Sequence, residues 1–311
     1  DPDALAALEE ALRTPGALHV AIKDSPRFIL PAALIYDAPL DSALGSDALG
    51  ICPEFENAFR RGIALDKTPC FDPARGCPSH GKMTVVCPSG FWGFRHQLGM
   101  PASGSGETSP EIHFHGRPQV VVGVSTDPDF VLRAAHEDTL MQMRAGGLEW
   151  KYGDKREDVL ALLKAEQPHL VYFFCHGFLS STRRPGIQVG SRQSPAILPD
   201  NITAYRINWR QSRPLVFING CGTGSVEPEQ AFDMVSMLLR WAAASGVIGT
   251  EITIFEPLAR DFAERCLGRF LGGEAIGEAV RQARLSLLAD GNPLGLVYIP
   301  FLLPSLRLVE K

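Results

Sequence analysis

The chain lacks any apolar run of the roughly 18–20 residues that a membrane-spanning helix needs. The best candidate, Met234 to Thr250, is interrupted by Arg240. It lacks an excess of positive charge: 30 basic residues against 35 acidic ones leave a formal net charge of −5, which offers a nucleic-acid backbone no attractive field. It lacks the glycine and proline load of low-complexity disorder, since 30 Gly and 24 Pro make 54 of 311 residues, well short of about 25–30%. No repeat of solenoid period is present, and no secretory leader. The chain begins at Asp1 instead of Met, the start expected of an excised or processed domain. Its seven cysteines are odd in number and widely spread. That speaks against a disulfide framework and for reduced thiols in a cytoplasmic protein. What is there suits a globular α/β protein: 45% hydrophobic and 21% charged residues over 311 positions, enough for one large domain or two average ones.

The charge is uneven. Residues 1–116 hold 9 basic and 14 acidic side chains, and 117–311 hold 21 of each. The first region, acidic and rich in Cys, Pro and Gly, is irregular apart from a helical pattern at Asp3–Arg13 and apolar runs at Leu18–Ile22 and Phe28–Tyr36. The small, polar segment from Pro101 to Pro110 reads as a loop or linker, which places a domain boundary near residue 116. Beyond it the pattern predicts strands at Gln119–Val124, Leu148–Tyr152, His169–Cys175, Leu215–Asn219, Val247–Phe255 and Leu296–Leu303. Helices are predicted at Asp129–Arg144, Glu157–Glu166, Phe232–Ala244, Leu258–Leu271 and Ala275–Leu288. Strands that are apolar throughout and alternate with helices predict a mostly parallel sheet covered on both faces. In such a sheet functional groups collect past the carboxyl ends of the strands.

Two strand ends carry chemistry. His169–Cys175 runs into His176-Gly177, and Leu215–Asn219 runs into Gly220-Cys221-Gly222. A thiolate nucleophile needs an imidazole to raise its ionised fraction, and a leaving amine needs a proton donor. Glycines beside both let a substrate approach the backbone N–H groups that would hold an oxyanion. Taken singly, each residue fits a structural role, because cysteine is commonly buried and a strand-end histidine commonly serves as a satisfied core group. Their conjunction at one sheet edge favours catalysis.

Phe174-Cys175-His176-Gly177, Phe217-Ile218-Asn219-Gly220-Cys221 and Ala244-Ser245-Gly246-Val247-Ile248-Gly249-Thr250-Glu251 resemble the CHAT peptidases, caspase-like proteins related to separase. Leu258–Phe262 and Gly277–Ala283 are similar to the family's two C-terminal helices, and Cys87–His96 and Val124–Asp127 to further stretches of it. The resemblance covers about residues 85–300. It implies a caspase-like three-layer fold for 117–311, with 1–116 as a degenerate caspase-like half or an accessory subdomain. It also implies an endopeptidase of protein substrates needing no cofactor for catalysis. Cys221 would be the nucleophile, His176 the acid and base, and the N–H groups of Gly177 and Cys221 the oxyanion hole. The family works as a dyad, so no third residue is demanded. A regulatory protein partner or a helical-repeat region is expected to gate the activity.

Substrate contacts are less sharply drawn. Relatives that cut after basic residues carry Asp two positions before the nucleophile, where this chain has Asn219. Glu251, on the strand expected to line the cleft, is the acidic alternative, against a solvent-facing strand residue. Arg183 and Arg184 begin a basic stretch of six arginines running to Arg213, with Asp200 as its sole acid. The stretch suits an acidic substrate segment or an activator; pairing with the acidic N-terminal region is the structural alternative.

Cys52, Cys70, Cys77 and Cys87 fall within 36 residues, with His80 among them, and three of the four precede proline. Four thiolates would make a structural zinc site. No two are spaced as in a zinc knuckle, which favours plain buried thiols. His113 and His115 alternate on a strand and form a weak metal signal. Two rival functions are a catalytically silent caspase-like scaffold or peptide-binding module, and a small-molecule amidase. The amidase lacks the Gly-x-Ser/Cys-x-Gly elbow. A dinucleotide site at Gly222-Thr223-Gly224 lacks its third glycine and helix start.

Overall fold

The computed structural model describes residues 3, 7, 11–21, 30–72, 76–101, 109–143, 147–179, 185–221, 233–252 and 254–311. The N-terminal part contains β1 (Ala17–His19), β2 (Gly50–Ile51), α1 (Pro53–Arg61), β3 (Val85–Val86), α2 (Trp92–Arg95), β4 (Gln97–Gly99) and β5 (Glu111–Phe114). There follow β6 (Gln119–Val124), α3 (Arg133–Met141), β7 (Glu149–Gly153), α4 (Arg156–Ala165), β8 (Leu170–Leu179) and β9 (Pro185–Gln188). The chain then forms α5 (Pro199–Ala204), β10 (Leu215–Cys221), β11 (Gly246–Thr250), α6 (Glu256–Leu271), α7 (Ile276–Ala289), β12 (Tyr298–Phe301) and β13 (Arg307–Glu310).

The central sheet has the order β12-β11-β10-β8-β6-β7, with β9 paired to the end of β8. All neighbours from β11 to β7 are parallel, while β12 is antiparallel to β11 and β9 to β8. The continuously apolar strands work as expected for a sheet buried on both faces. In β8, Leu170, Tyr172 and Phe174 enter one core with α6 and α7, while Val171, Phe173 and Cys175 enter another with α4, α5 and Trp209. Alternate residues of one strand thus feed two layers. The result is the three-layer α/β arrangement that the sequence predicts.

The differences from the predicted elements lie at their ends. The first core helix starts at Arg133, because Asp127 and Asp129 close a turn before it. The strand after Ala244 stops at Thr250, and residues 293–297 form a 3₁₀ turn ahead of β12. The pattern at Phe232–Ala244 is described from residue 233, and its second half, Met237–Trp241, is π-helical. Most of Asp3–Arg13 and the Pro101–Pro110 linker lie outside the described residues. Among the described residues no helix is long and apolar enough to cross a membrane.

Residues 30–100 build a third core around Phe71, Phe94 and Leu98 that reaches Leu285 and Leu288 of α7. Its attachment is largely polar. Arg281 donates through Nε to the carbonyls of Phe94 and Arg95, and Arg284 donates to those of Gly93, Gly295 and Tyr298. Gly93 has to be glycine there: a Cβ would lie 2.5 Å from Leu296 Cδ2 and 2.7 Å from Ala33 Cβ. β5 pairs in parallel with the C-terminal β13, so the 116/117 division falls between two strands that the fold ties to the same body.

Candidate active site

The chain runs from β6 outward to β7, then returns past β6 to β8 and continues to β10 and β11. The strand order therefore reverses beside β6, and the adjoining carboxyl ends form a crevice. Asp127 follows β6, His176 lies near the end of β8, Cys221 ends β10 and Glu251 follows β11. Four consecutive strands each bring a titratable residue to one edge.

The parallel ladder pairs Cys221 with His176, on strands about 4.8 Å apart. The side chain of Cys221, and Arg183 and Arg184, lie outside the described residues. Gly177 pairs with Ile187 of β9, and Ile187 exchanges both backbone hydrogen bonds with Ile197 at 2.9 and 2.8 Å. Ile187 thus directs its N–H and C=O away from β8. By the alternation of an antiparallel ladder, Gly177 turns its own N–H toward β10.

His176 has a neighbour the sequence reading missed. Its Nε2 lies 3.1 Å from Asp127 Oδ2, and its ring meets Phe130 edge-on at 4.7 Å between centroids. The Asp127 side chain is 4% exposed. It accepts the Asp129 N–H at 3.0 Å and pairs with Arg192, whose Nη2 also reaches Asp129 at 2.6 Å. The Asp129 N–H foremost, then His176 and Arg192, hold the Asp127 carboxyl below its usual range. A carboxylate on Nε2 favours the tautomer that carries its proton on that nitrogen. The one sequence signal was the strand-end run Val124-Ser125-Thr126-Asp127.

Replacing Asp127 with Asn is expected to lower kcat roughly 10- to 10³-fold with KM nearly unchanged, because it frees the imidazole tautomer without removing it. It also removes a depressed carboxyl. Such a group stabilises the fold above its unfolded pKa of about 3.9, and the contribution is lost as pH falls through the lower folded value. The gap in Tm between wild type and Asp127→Asn should be constant above about pH 5 and shrink at more acid pH. Steady-state kinetics and thermal melts from pH 2.5 to 7 check both.

Asn219 requires a correction. Expected at the substrate surface, it is fully buried. Its Nδ2 donates to Tyr172 Oη at 2.8 Å and to the Ala259 carbonyl at 2.7 Å, and its Oδ1 accepts Tyr298 O–H at 2.8 Å. His136 extends this network, with Nε2 2.8 Å from Tyr172 Oη and Nδ1 2.9 Å from Glu264. Asn219 ties β10 to β8, α6 and β12 two residues before Cys221. Its position in the strand points it into the core. Glu251 remains at the edge, half-buried, and burial raises its carboxyl pKa. It lines a small hollow with Leu30, Met100 and Ile299. In the basic stretch, Arg192 pairs with Asp127 and Asp129 of the core, not with the acidic N-terminal region.

The CHAT domain matches residues 105–294, more than half of the sequence. The chain belongs to the CHAT domain family. A relative described as a probable protease, from Vitiosangium sp. (strain GDMCC 1.1324), is 44% identical over 99% of the chain. The chain spans 41% of that relative's length. Among solved structures, the Arg-specific cysteine proteinase gingipain R aligns over 61% of this chain and 47% of its own, with a TM-score of 0.44 and 12% identity. The Saccharomyces cerevisiae separase–securin complex aligns over 62% and 12%, with a TM-score of 0.39 and 13% identity. The matched CHAT segment contains β6, β8, β10 and β11, and so all four titratable strand ends.

A second cluster lies in the N-terminal core of this CHAT protein. Cys52, Cys70, Cys77 and Cys87 are all buried, and their Sγ atoms lie within 4.8 Å of one another. A shared hydrogen bond pulls the Cys87 thiol down to about 5 and pushes that of Cys70 up. His80 is exposed and outside the group. His113 and His115 part company, the first 3.4 Å from Glu111 and the second 3.1 Å from the Lys311 carbonyl.

Proposed function

We propose that this CHAT domain is a cysteine endopeptidase acting on a protein substrate through Cys221 and His176. The observation that carries the reading is the ladder register placing Cys221 opposite His176 while Asp127 holds the far side of the imidazole. The probable-protease description of the relative supports the same class. The Cys221 thiolate attacks the scissile carbonyl carbon, and the N–H groups of Gly177 and Cys221 hold the oxyanion. The His176 imidazolium gives its proton to the leaving amine as the C–N bond breaks, leaving a thioester. His176 then takes a proton from water, whose oxygen attacks the thioester. Collapse of that adduct frees the new carboxylic acid and returns the Cys221 thiolate beside the His176 imidazolium.

Asp127 is the positioning group that keeps the imidazole aligned. Activation by a protein partner, or by further segments of a longer chain, belongs to the same reading and is supported by the greater length of the relative. Arg183, Arg184 and Glu251 are the substrate contacts it assigns.

The test is covalent labelling with a library of peptide acyloxymethyl ketones, comparing wild type with Cys221→Ala and His176→Ala. Labelling that requires Cys221 is expected, and the preferred probe reports the residue accepted before the scissile bond. A folded chain that resists every probe, with Cys221 inert to iodoacetamide, would sink the peptidase and leave the silent scaffold.

A further inference from the structure

The four N-terminal cysteines are brought together from separate segments of an irregular region. Sulfur-to-sulfur distances are 3.7 Å for Cys52–Cys70, 3.5 Å for Cys52–Cys77 and 3.7 Å for Cys70–Cys77. Cys87 completes a group whose four Sγ atoms all lie within 4.8 Å. A disulfide brings two sulfurs to about 2.05 Å, so none of these contacts is one. A tetrahedron of thiolates around zinc, with Zn–S of about 2.3 Å, has edges of about 3.8 Å. The observed edges match that figure. Thiols packed merely as small apolar groups would have carbon neighbours between them, and nothing in apolar packing would select three near-equal edges.

The surrounding backbone prepares the same site. Cys52 is the N-cap of α1, with Pro53 at its first position, so the positive end of the helix lies beside that sulfur. Cys87 immediately precedes the 3₁₀ turn Pro88–Gly90. The Ser79 N–H lies 3.3 Å from Cys77 Sγ, and Ser89 Oγ lies 3.1 Å from Cys87 Sγ. Such donors spread the charge that four thiolates around one divalent cation would leave, and they orient the ligands. All four positions are filled by protein and all four are buried, which is the closed form of a structural site.

We infer that Cys52, Cys70, Cys77 and Cys87 bind one zinc ion, which staples the separate parts of the segment from β2 to α2 to one another. A knuckle's short local spacing is not needed for such a site. Here the ligands come from a helix start, two turns and a 3₁₀ start, and tertiary packing replaces the short local loop. The consequence is specific to this region. Among the described residues of 50–95, regular structure is limited to α1, α2, two two-residue strands and the 3₁₀ turns Leu65–Lys67 and Pro88–Gly90, and a small core gains much of its folding energy from such a metal. Through α2 the staple also fixes the carbonyls of Gly93, Phe94 and Arg95 that receive Arg284 and Arg281 of α7.

The chain, purified under reducing conditions from zinc-supplemented medium and washed with EDTA, is expected to hold about one zinc per molecule by inductively coupled plasma mass spectrometry. X-ray absorption at the zinc edge should show four sulfurs near 2.3 Å. Cys70→Ser and Cys77→Ser should lose the metal and melt at lower temperature, while Cys266→Ala, in a buried cysteine of α6 outside the cluster, should keep it. Because the serine variants can fail to fold, metal content and edge spectrum of the wild type decide the matter. Less than about a tenth of an equivalent of zinc in the folded wild type would overturn the site. So would nitrogen or oxygen in the zinc shell. Equimolar iron, with its visible thiolate absorption, would overturn the assignment to zinc.

Discussion

Cys221→Ala is expected to reduce peptide-bond cleavage at least about 10³-fold, to background, with substrate binding and Tm little changed. Removing one sulfur from an edge position takes away the nucleophile and leaves the sheet intact. His176→Ala should be nearly as severe on amide substrates, for a different reason. The leaving amine departs as an anion unless a proton arrives, so loss of the imidazole blocks C–N cleavage even where some thiolate forms. On a peptide ester with a good leaving group the same variant should retain far more activity, whereas Cys221→Ala should be dead on both. That divergence separates nucleophile from acid. Single-turnover assays on paired amide and ester substrates, with the peptide chosen by probe labelling, measure it. Cleavage above a tenth of wild type in Cys221→Ala would place the nucleophile elsewhere.

The second large effect concerns stability. Arg284 is fully buried with no facing carboxylate among the described residues, and its fork satisfies the Gly93, Gly295 and Tyr298 carbonyls at 3.3, 3.2 and 2.6 Å. Burial lowers its pKa to about 10, so the guanidinium stays charged at neutral pH. Arg284→Ala takes the guanidinium donors from three buried carbonyls, of which that of Gly295 keeps the Tyr298 N–H, and opens a cavity under α7, which should cost about 3–5 kcal/mol. For a chain of this size that is a fall in Tm of roughly 10 °C. Arg284→Lys keeps the charge but offers no planar fork, and should fall between wild type and Ala. Denaturant melts followed by tryptophan fluorescence would test this order. A loss below about 1 kcal/mol for Arg284→Ala would show that the fork does not hold the N-terminal region to α7.

Much of the architecture was legible because parallel strands buried on both faces have to be apolar throughout. Gln119–Val124 coincides with the predicted strand, and the two C-terminal helices lie within two residues of their predicted bounds. The hairpin strand β9 and the partner of β5, strand β13, were missed, since Pro185–Gln188 and Arg307–Glu310 are short and carry no strong period. At the site, the strand ends marked His176 and Cys221, and the glycine beside His176 marked the N–H now turned toward β10. Asn219 misled because a residue two places before a nucleophile reads as near the substrate. Strand alternation and the hydroxyls of Tyr172 and Tyr298 instead draw it into the core.

The sequence alone determined which strands are buried, which edge they present, and that a histidine and a cysteine stand at it, because those facts follow from local apolar pattern and turn residues. Tertiary structure decided everything that depends on residues far apart in the chain. The β6–β8 crossover brings Asp127 to His176, 49 positions away. The same is true of the four thiols between Cys52 and Cys87, whose spacing is silent until the turns fold. Burial is the physical reason in both cases. It strips water from the groups that chain folding gathers, and only then does a carboxylate orient an imidazole or a set of thiols become a site.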